Sequence, residues 1–179
     1  GDHRDLHPFP TRRSSDLSDA WAHLGECYAD AGLYDSAQSV LRIALRLNPD
    51  EASAHSNMGV TYLNQQKPEF ARSYLQKAHA LKPDEPMVCY NLALCYLMLR
   101  QEDHFVTYIE KAAALPAATA SIHVNLGDWY AHKGDFPRAA SQYRLALGKG
   151  EPPATIADRG RRFPGLAQYL RNAPAGETR

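Results

Sequence analysis

Residues 18–51 read SDAWAHLGECYADAGLYDSAQSVLRIALRLNPDE. Apolar and small residues return at helical spacing twice within this stretch, at Leu24, Gly25 and Tyr28 and again at Ala37, Leu41 and Ala44. That spacing predicts two amphipathic helices. Gly32 breaks the run between them and Pro49 stops the second, because proline lacks the amide the next turn needs. Asp50 and Glu51 then stand ahead of the following helix, where the aligned peptide dipoles favour negative charge. These acids read as helix-start residues, not as a general acid and base.

The stretch recurs. Gly25, Gly59, Ala93 and Gly127 are 34 residues apart (59−25, 93−59, 127−93), and so are Tyr28, Tyr62, Tyr96 and Tyr130. Leu24, Met58, Leu92 and Leu126 precede the small residue, while Leu41, Leu75, Ile109 and Tyr143 recur in the second half with Ala44, Ala78, Ala112 and Ala146. Pro49, Pro83, Pro116 and Pro152 close the units, which run 18–51, 52–85, 86–119 and 120–153. The small residues, set opposite Ala37, Ala71 and Ala139, let paired helices approach closely. The third unit departs by placing Phe105 in a small slot and its proline one residue early, so a repacked or shifted second helix is expected there. From Ala154 the register is lost, since a fifth unit would put Pro164 where the tyrosine belongs. A helical array needs its last face covered. Phe163, Leu166, Tyr169 and Leu170 offer an apolar strip for a capping helix or helices over 154–172, with 173–179 a disordered tail. Arg159, Arg161 and Arg162 read as the solvated face of that cap rather than a docking patch.

This pattern resembles the tetratricopeptide repeat, whose signature runs Trp, Leu-Gly, Tyr, Ala, an aromatic or aliphatic residue, Ala and Pro. The first unit matches it in register at Trp21, Leu24, Gly25, Tyr28, Ala37, Leu41, Ala44 and Pro49. The fold class implied is all-α, an α-solenoid of four helix-turn-helix repeats with a C-terminal capping segment. Phe9 to Leu17 resembles a translated sequencing adapter, and residues 1–17 carry no apolar period. They are expected to be a disordered, non-native leader, so they are left out of fold reasoning and the native N-terminus is expected to be missing.

Twenty lysines and arginines balance twenty aspartates and glutamates, so no global field draws in nucleic acid or an anionic membrane. The most apolar stretch, Met87 to Leu99, is interrupted by Asn91 and falls short of the roughly 20 residues that cross a bilayer. Cys27, Cys89 and Cys95 form no CxxC pair and read as buried thiols, which favours a reducing, cytoplasmic compartment. His23 and Cys27 lie one helical turn apart, yet no second pair completes a tetrahedral metal set. His55 and His123 fall in the slot of Trp21 and are expected to pack there. Gly148-Lys149-Gly150 lacks the upstream glycine and following Ser or Thr of a phosphate loop and reads as a helix stop. Nothing assembles a nucleophile, a base and an oxyanion site, so neither catalysis nor a cofactor nor a metal is expected.

The resemblance implies that the first helices line a concave wall. Asn57, Asn91 and Asn125 recur there at 34-residue spacing, with His23 in the matching slot of the first unit. A carboxamide both donates and accepts, so such a ladder suits the peptide bonds of an extended segment. It is similar to the ladder in the repeats of O-linked N-acetylglucosamine transferase. The same groups could instead bond within or between helices, and both readings stand. Val60, Leu63, Met87, Tyr90, Leu94 and Met98 surround the ladder, with Glu26, Asp30 and Asp128 towards the ends. No lysine or arginine occupies these slots, which argues against the two-lysine carboxylate clamp of some family members. Leu97 reads as inter-repeat core. The expected partner is a protein or peptide segment with apolar anchors and basic flanks, bound extended or as a helix. Two alternatives are a substrate-recruiting arm of a larger enzyme, such as a glycosyltransferase, and a scaffold that self-associates through its end faces.

Overall fold

The computed structural model describes residues 14–171, and every regular element among them is helical. Four helix pairs follow in order: α1 (Ser14–Asp30) and α2 (Tyr34–Leu47), α3 (Ala52–Asn64) and α4 (Pro68–Leu81), α5 (Pro86–Met98) and α6 (Glu102–Ala114), α7 (Ala120–His132) and α8 (Phe136–Gly148). After them come α9 (Pro153–Arg162), a 3-10 turn (Pro164–Leu166) and α10 (Ala167–Arg171). The chain divides into two compact units, residues up to 83 with 98–100, and residues 84–97 with those from 101 onward. Most of the expected leader lies outside the described residues. Its last four, Ser14 to Leu17, are helical, which corrects the expectation of disorder there. Asp16 sits in the first turn, where its charge suits the helix dipole.

The same turn joins the helices of every pair. The amides of Leu33, Lys67, Gln101 and Asp135 reach back to the carbonyls of Tyr28, Tyr62, Tyr96 and Tyr130 at 2.8, 2.9, 2.9 and 2.8 Å. This long backward bond closes the helix when the residue before it is left-handed. That residue is Gly32 (φ 74°), Gln66 (φ 60°), Arg100 (φ 59°) and Gly134 (φ 78°) in turn. Only two of the four are glycine, so the turn persists where the side chain opposes it.

Glycine has a second use inside the pairs. A Cβ on Gly25 would stand 2.5 Å from Cγ of Leu41, one on Gly59 2.5 Å from Cγ of Leu75, and one on Gly127 2.7 Å from Cε1 of Tyr143. Each small residue therefore faces the large residue of the second helix and not the alanine expected opposite it. Leu41, Leu75 and Tyr143 are fully buried as a result.

The repeated tyrosine of the first helix is covered by a flat group one turn into the second. Phe70 stacks on Tyr62 at 5.6 Å, His104 on Tyr96 at 4.8 Å, and the Arg138 guanidinium lies 4.6 Å from the Tyr130 ring centroid. Tyr130 also bonds Glu110, and with burial this pushes its phenol up to about 12.

In the first unit, Leu41 and Ala44 of α2 and Ala22 of α1 form one buried cluster with Ala54 and Met58 of α3. In the second, Cys89, Ala112, Ala118 and Ile122 form another. Helix α6 starts in step, at Glu102, so the second helix of this pair is repacked rather than shifted. Phe105, 2% exposed, turns edge-on to Trp129 at 4.7 Å between centroids. Leu97, expected as core, is 36% exposed; Phe105 already takes interior volume in this pair where the others place alanine. His123 is buried with Nδ1 on Gln142 Oε1 at 2.9 Å, and His55 is half-buried with Nε2 on the Pro49 carbonyl at 2.8 Å.

The C-terminal segment keeps the register one turn longer than expected. Ile156, 34 residues after Ile122, is 4% exposed; α9 then ends at Arg162, because the residue before Pro164 is pushed out of the helical region. Leu166 is fully buried and Phe163 meets His132 edge-on at 4.9 Å. Arg159 is not a solvated residue. Its Nε and Nη2 donate to Oδ1 and Oδ2 of Asp128 at 3.1 and 3.2 Å. Arg161 does remain exposed, beside Asp158.

Candidate peptide-binding faces

In the first unit the sequence places His23 and Glu26 on α1 and Asn57 and Val60 on α3. His23 and Glu26 are exposed, with Nδ1 3.5 Å from Oε2. Asn57 is half-buried, and its Nδ2 donates to the Ala22 carbonyl at 3.1 Å. Because a carbonyl only accepts, this contact fixes which end of the carboxamide is nitrogen. Its Oδ1 meets no donor among the described residues. Val60 is half-buried; Leu63 is 7% exposed and belongs to the interior.

In the second unit Met87 is 40% exposed, while Tyr90, Asn91 and Leu94 are half-buried along α5. Asn125 of α7 donates through Nδ2 to the Tyr90 hydroxyl at 2.9 Å and to the Ser121 carbonyl at 2.9 Å. Both its protons are thereby used, and Oδ1 is left as an acceptor. Tyr90 accepts from Asn125, so its own O–H keeps a proton to give. Burial holds that phenol above its ordinary value of 10, and the proton stays on through the neutral range. An acceptor and a donor thus stand side by side, which is what one peptide unit requires. Met98, the last residue of α5, is half-buried.

Asp128 does not offer a bare acidic margin. Besides Arg159 it takes a hydrogen bond from Tyr143 at 2.6 Å, and burial with this carboxylate pushes the Tyr143 phenol far up. Sequence spacing marked Asp128 and Arg159 as separate features. Their opposite charges 31 residues apart, close to one repeat length, were the available signal.

Among the described residues no group of three His, Cys, Asp or Glu could hold a metal, and no helix is long and apolar enough to cross a membrane. Cys89 and Cys95 are buried, and burial raises the Cys89 thiol; Cys27 is exposed, against expectation. Its counterparts Thr61 and Cys95 are fully buried. The difference lies in what covers the helix, not in the residue.

The profile of the family described as Tetratricopeptide repeat matches residues 24–86, a span from α1 to the start of α5. With the repeated hairpin geometry, that match decides the family. The chain is a tetratricopeptide-repeat protein. Among solved structures it is similar to TTC0263, a thermophilic protein of this family from Thermus thermophilus, with 20% identity over 86% of this chain and 81% of that one and a TM-score of 0.70. It is also similar to MamA, with 25% identity over 77% and 81% and a TM-score of 0.64, and to MamA residues 41-end from Desulfovibrio magneticus RS-1, with 24% identity over 73% and 74% and a TM-score of 0.62. No curated protein matches the sequence significantly. Tetratricopeptide repeats are in general non-catalytic modules for protein interaction or scaffolding.

Proposed function

We propose that this tetratricopeptide-repeat protein holds a peptide-like segment of a partner protein against its first helices, without catalysis or cofactor. The observation that carries the reading is the Asn125–Tyr90 pair. Asn125 spends its donors inside the fold, and the leftover carboxamide oxygen and phenolic hydrogen match the N–H and C=O of a visiting backbone. Met87 and Leu94 on α5 supply apolar surface beside the pair, which favours segments with aliphatic or aromatic anchors. On α1 the exposed Glu26 and Asp30 favour basic flanks, whereas Asp128 is neutralised by Arg159. Asn57, with its free oxygen, would extend the same chemistry to the first unit, and Asn91 and Met98 are assigned to it by register alone.

Phage display of random dodecapeptides on the full chain tests this. Enriched peptides should carry apolar anchors, and Met87→Glu should abolish their binding. Asn125→Ala should weaken it by about 1 kcal/mol, roughly fivefold, and Tyr90→Phe by a similar factor with the fold intact by circular dichroism. A selection that enriches nothing would overturn the proposal. A dissociation constant unmoved by the triple Asn57, Asn91 and Asn125 to alanine variant would remove the carboxamides from it.

A further inference from the structure

Three positions of the repeat are interior everywhere except in α1. Ala54, Val88, Ile122 and Ile156 are 0–4% exposed, but Ala20 is exposed. Met58, Leu92 and Leu126 are 0–1% exposed, but Leu24 is 38% exposed. Thr61 and Cys95 are fully buried, but Cys27 is exposed. With Leu17, 40% exposed, these residues run at spacings of three and four along α1 and so make one stripe on one face of the helix. It is adjacent to, but separate from, the edge carrying His23 and Glu26.

The protein itself shows what this stripe accepts. In the first unit the corresponding residues of α3, Ala54 and Met58, are covered by Leu41, Ala44 and Leu45 of α2, with Trp21 and Ala22 of α1. The occupant there is an amphipathic helix with a small-and-large apolar seam, and α2 carries Arg42 and Arg46 beside that seam. Charge narrows the choice further. Helix α1 holds Asp16, Asp19, Glu26 and Asp30 and no lysine or arginine. A second copy offering its own α1 would bring like charges together, whereas a basic helix would find opposite ones. The second-helix seam at the other end of the array is already covered, since Tyr143 and Ala146 are fully buried under the segment containing Ile156 and Leu166. Head-to-tail stacking of copies is therefore blocked.

We propose that the Leu17–Leu24–Cys27 face of α1 docks an amphipathic, basic α-helix of a partner protein, in the way α3 accepts α2. The probe is a helix-stapled synthetic peptide of residues 34–47, titrated into the full chain by fluorescence anisotropy. Leu24→Asp, at an exposed site, should weaken binding about tenfold or more, from the lost burial of one leucine. A peptide with Arg42→Glu and Arg46→Glu should bind several-fold more weakly, and the difference should shrink at high salt. Bound peptide should also slow maleimide alkylation of Cys27, which reads the face independently of any variant. The proposal fails if the peptide does not bind, if Leu24→Asp leaves binding unchanged, or if Cys27 stays equally reactive. It fails equally if light scattering shows a dimer that Leu24→Asp converts to monomer, because the occupant is then a second copy.

Discussion

The two ends of the repeat array obey one sequence rule and meet opposite fates. In α1 the apolar residue before the repeated glycine, Leu24, stays 38% exposed, whereas beyond α8 the chain folds back and buries Ile156 and Leu166. The pattern of a repeat states which face wants cover. Whether it receives cover depends on what comes next in space. The C-terminal end shows how little is needed: one turn in register, a proline stop, and an arginine that reaches the Asp128 carboxylate.

The largest effect expected from this contrast is at the covered end. Leu166→Ala should cost about 2–5 kcal/mol, as for other fully buried leucines, while Leu24→Ala at the open end should cost about 0.5 kcal/mol or less. Urea unfolding midpoints of the two variants measure the gap, and equal losses would show that α1 is not open. Gly127→Ala comes next. Its new methyl would enter the Tyr143 ring and should cost about 1–3 kcal/mol, whereas Gly148→Ala meets nothing within 4 Å and should be neutral or mildly stabilising in thermal denaturation.

A pH effect should appear at the start of α8. Asp135 caps the helix through the Arg138 amide at 3.1 Å and pairs with the Arg138 side chain, which together hold its carboxyl below the ordinary 3.8. A lowered value means that its contribution is present above pH 3.8 and fades as pH falls through the folded value. The melting-temperature difference between the parent and Asp135→Ala should thus be flat from about pH 5 to about pH 7 and narrow towards about pH 3. The smallest effect is at the turns. Gln66→Gly should stabilise by up to about 1 kcal/mol, the left-handed penalty less the entropy of glycine; a loss on thermal denaturation would mean that Gln66 repays its strain through contacts.

These contrasts mark what the residues disclosed. The 34-residue step, with Gly25 and Tyr28 carried forward through the later units, was enough for paired helices and their order, because periodicity fixes which face is apolar. The uniform turn was legible only at Gly32 and Gly134; Gln66 and Arg100 hide the same backbone behind ordinary side chains. That Gly25 faces Leu41 rather than Ala37 needed coordinates, since both recur at the same interval. The exposure of Leu24 and Cys27 was hidden for a related reason: a residue type does not report whether its neighbour exists. In the candidate site, the asparagine series showed where carboxamides stand, but the donors of Asn57 and Asn125 are committed to the Ala22 and Ser121 carbonyls, which no side-chain pattern reveals.

The glycine that admits a bulky neighbour has a historical consequence. Enlarging Gly25, Gly59 or Gly127 is barred while Leu41, Leu75 or Tyr143 fills the space, and shrinking the neighbour first opens a void. Such positions can drift only as couples. Where the third pair carries Ala93 and Ile109 instead, both partners differ from the first two pairs at once, as a compensated exchange would leave them.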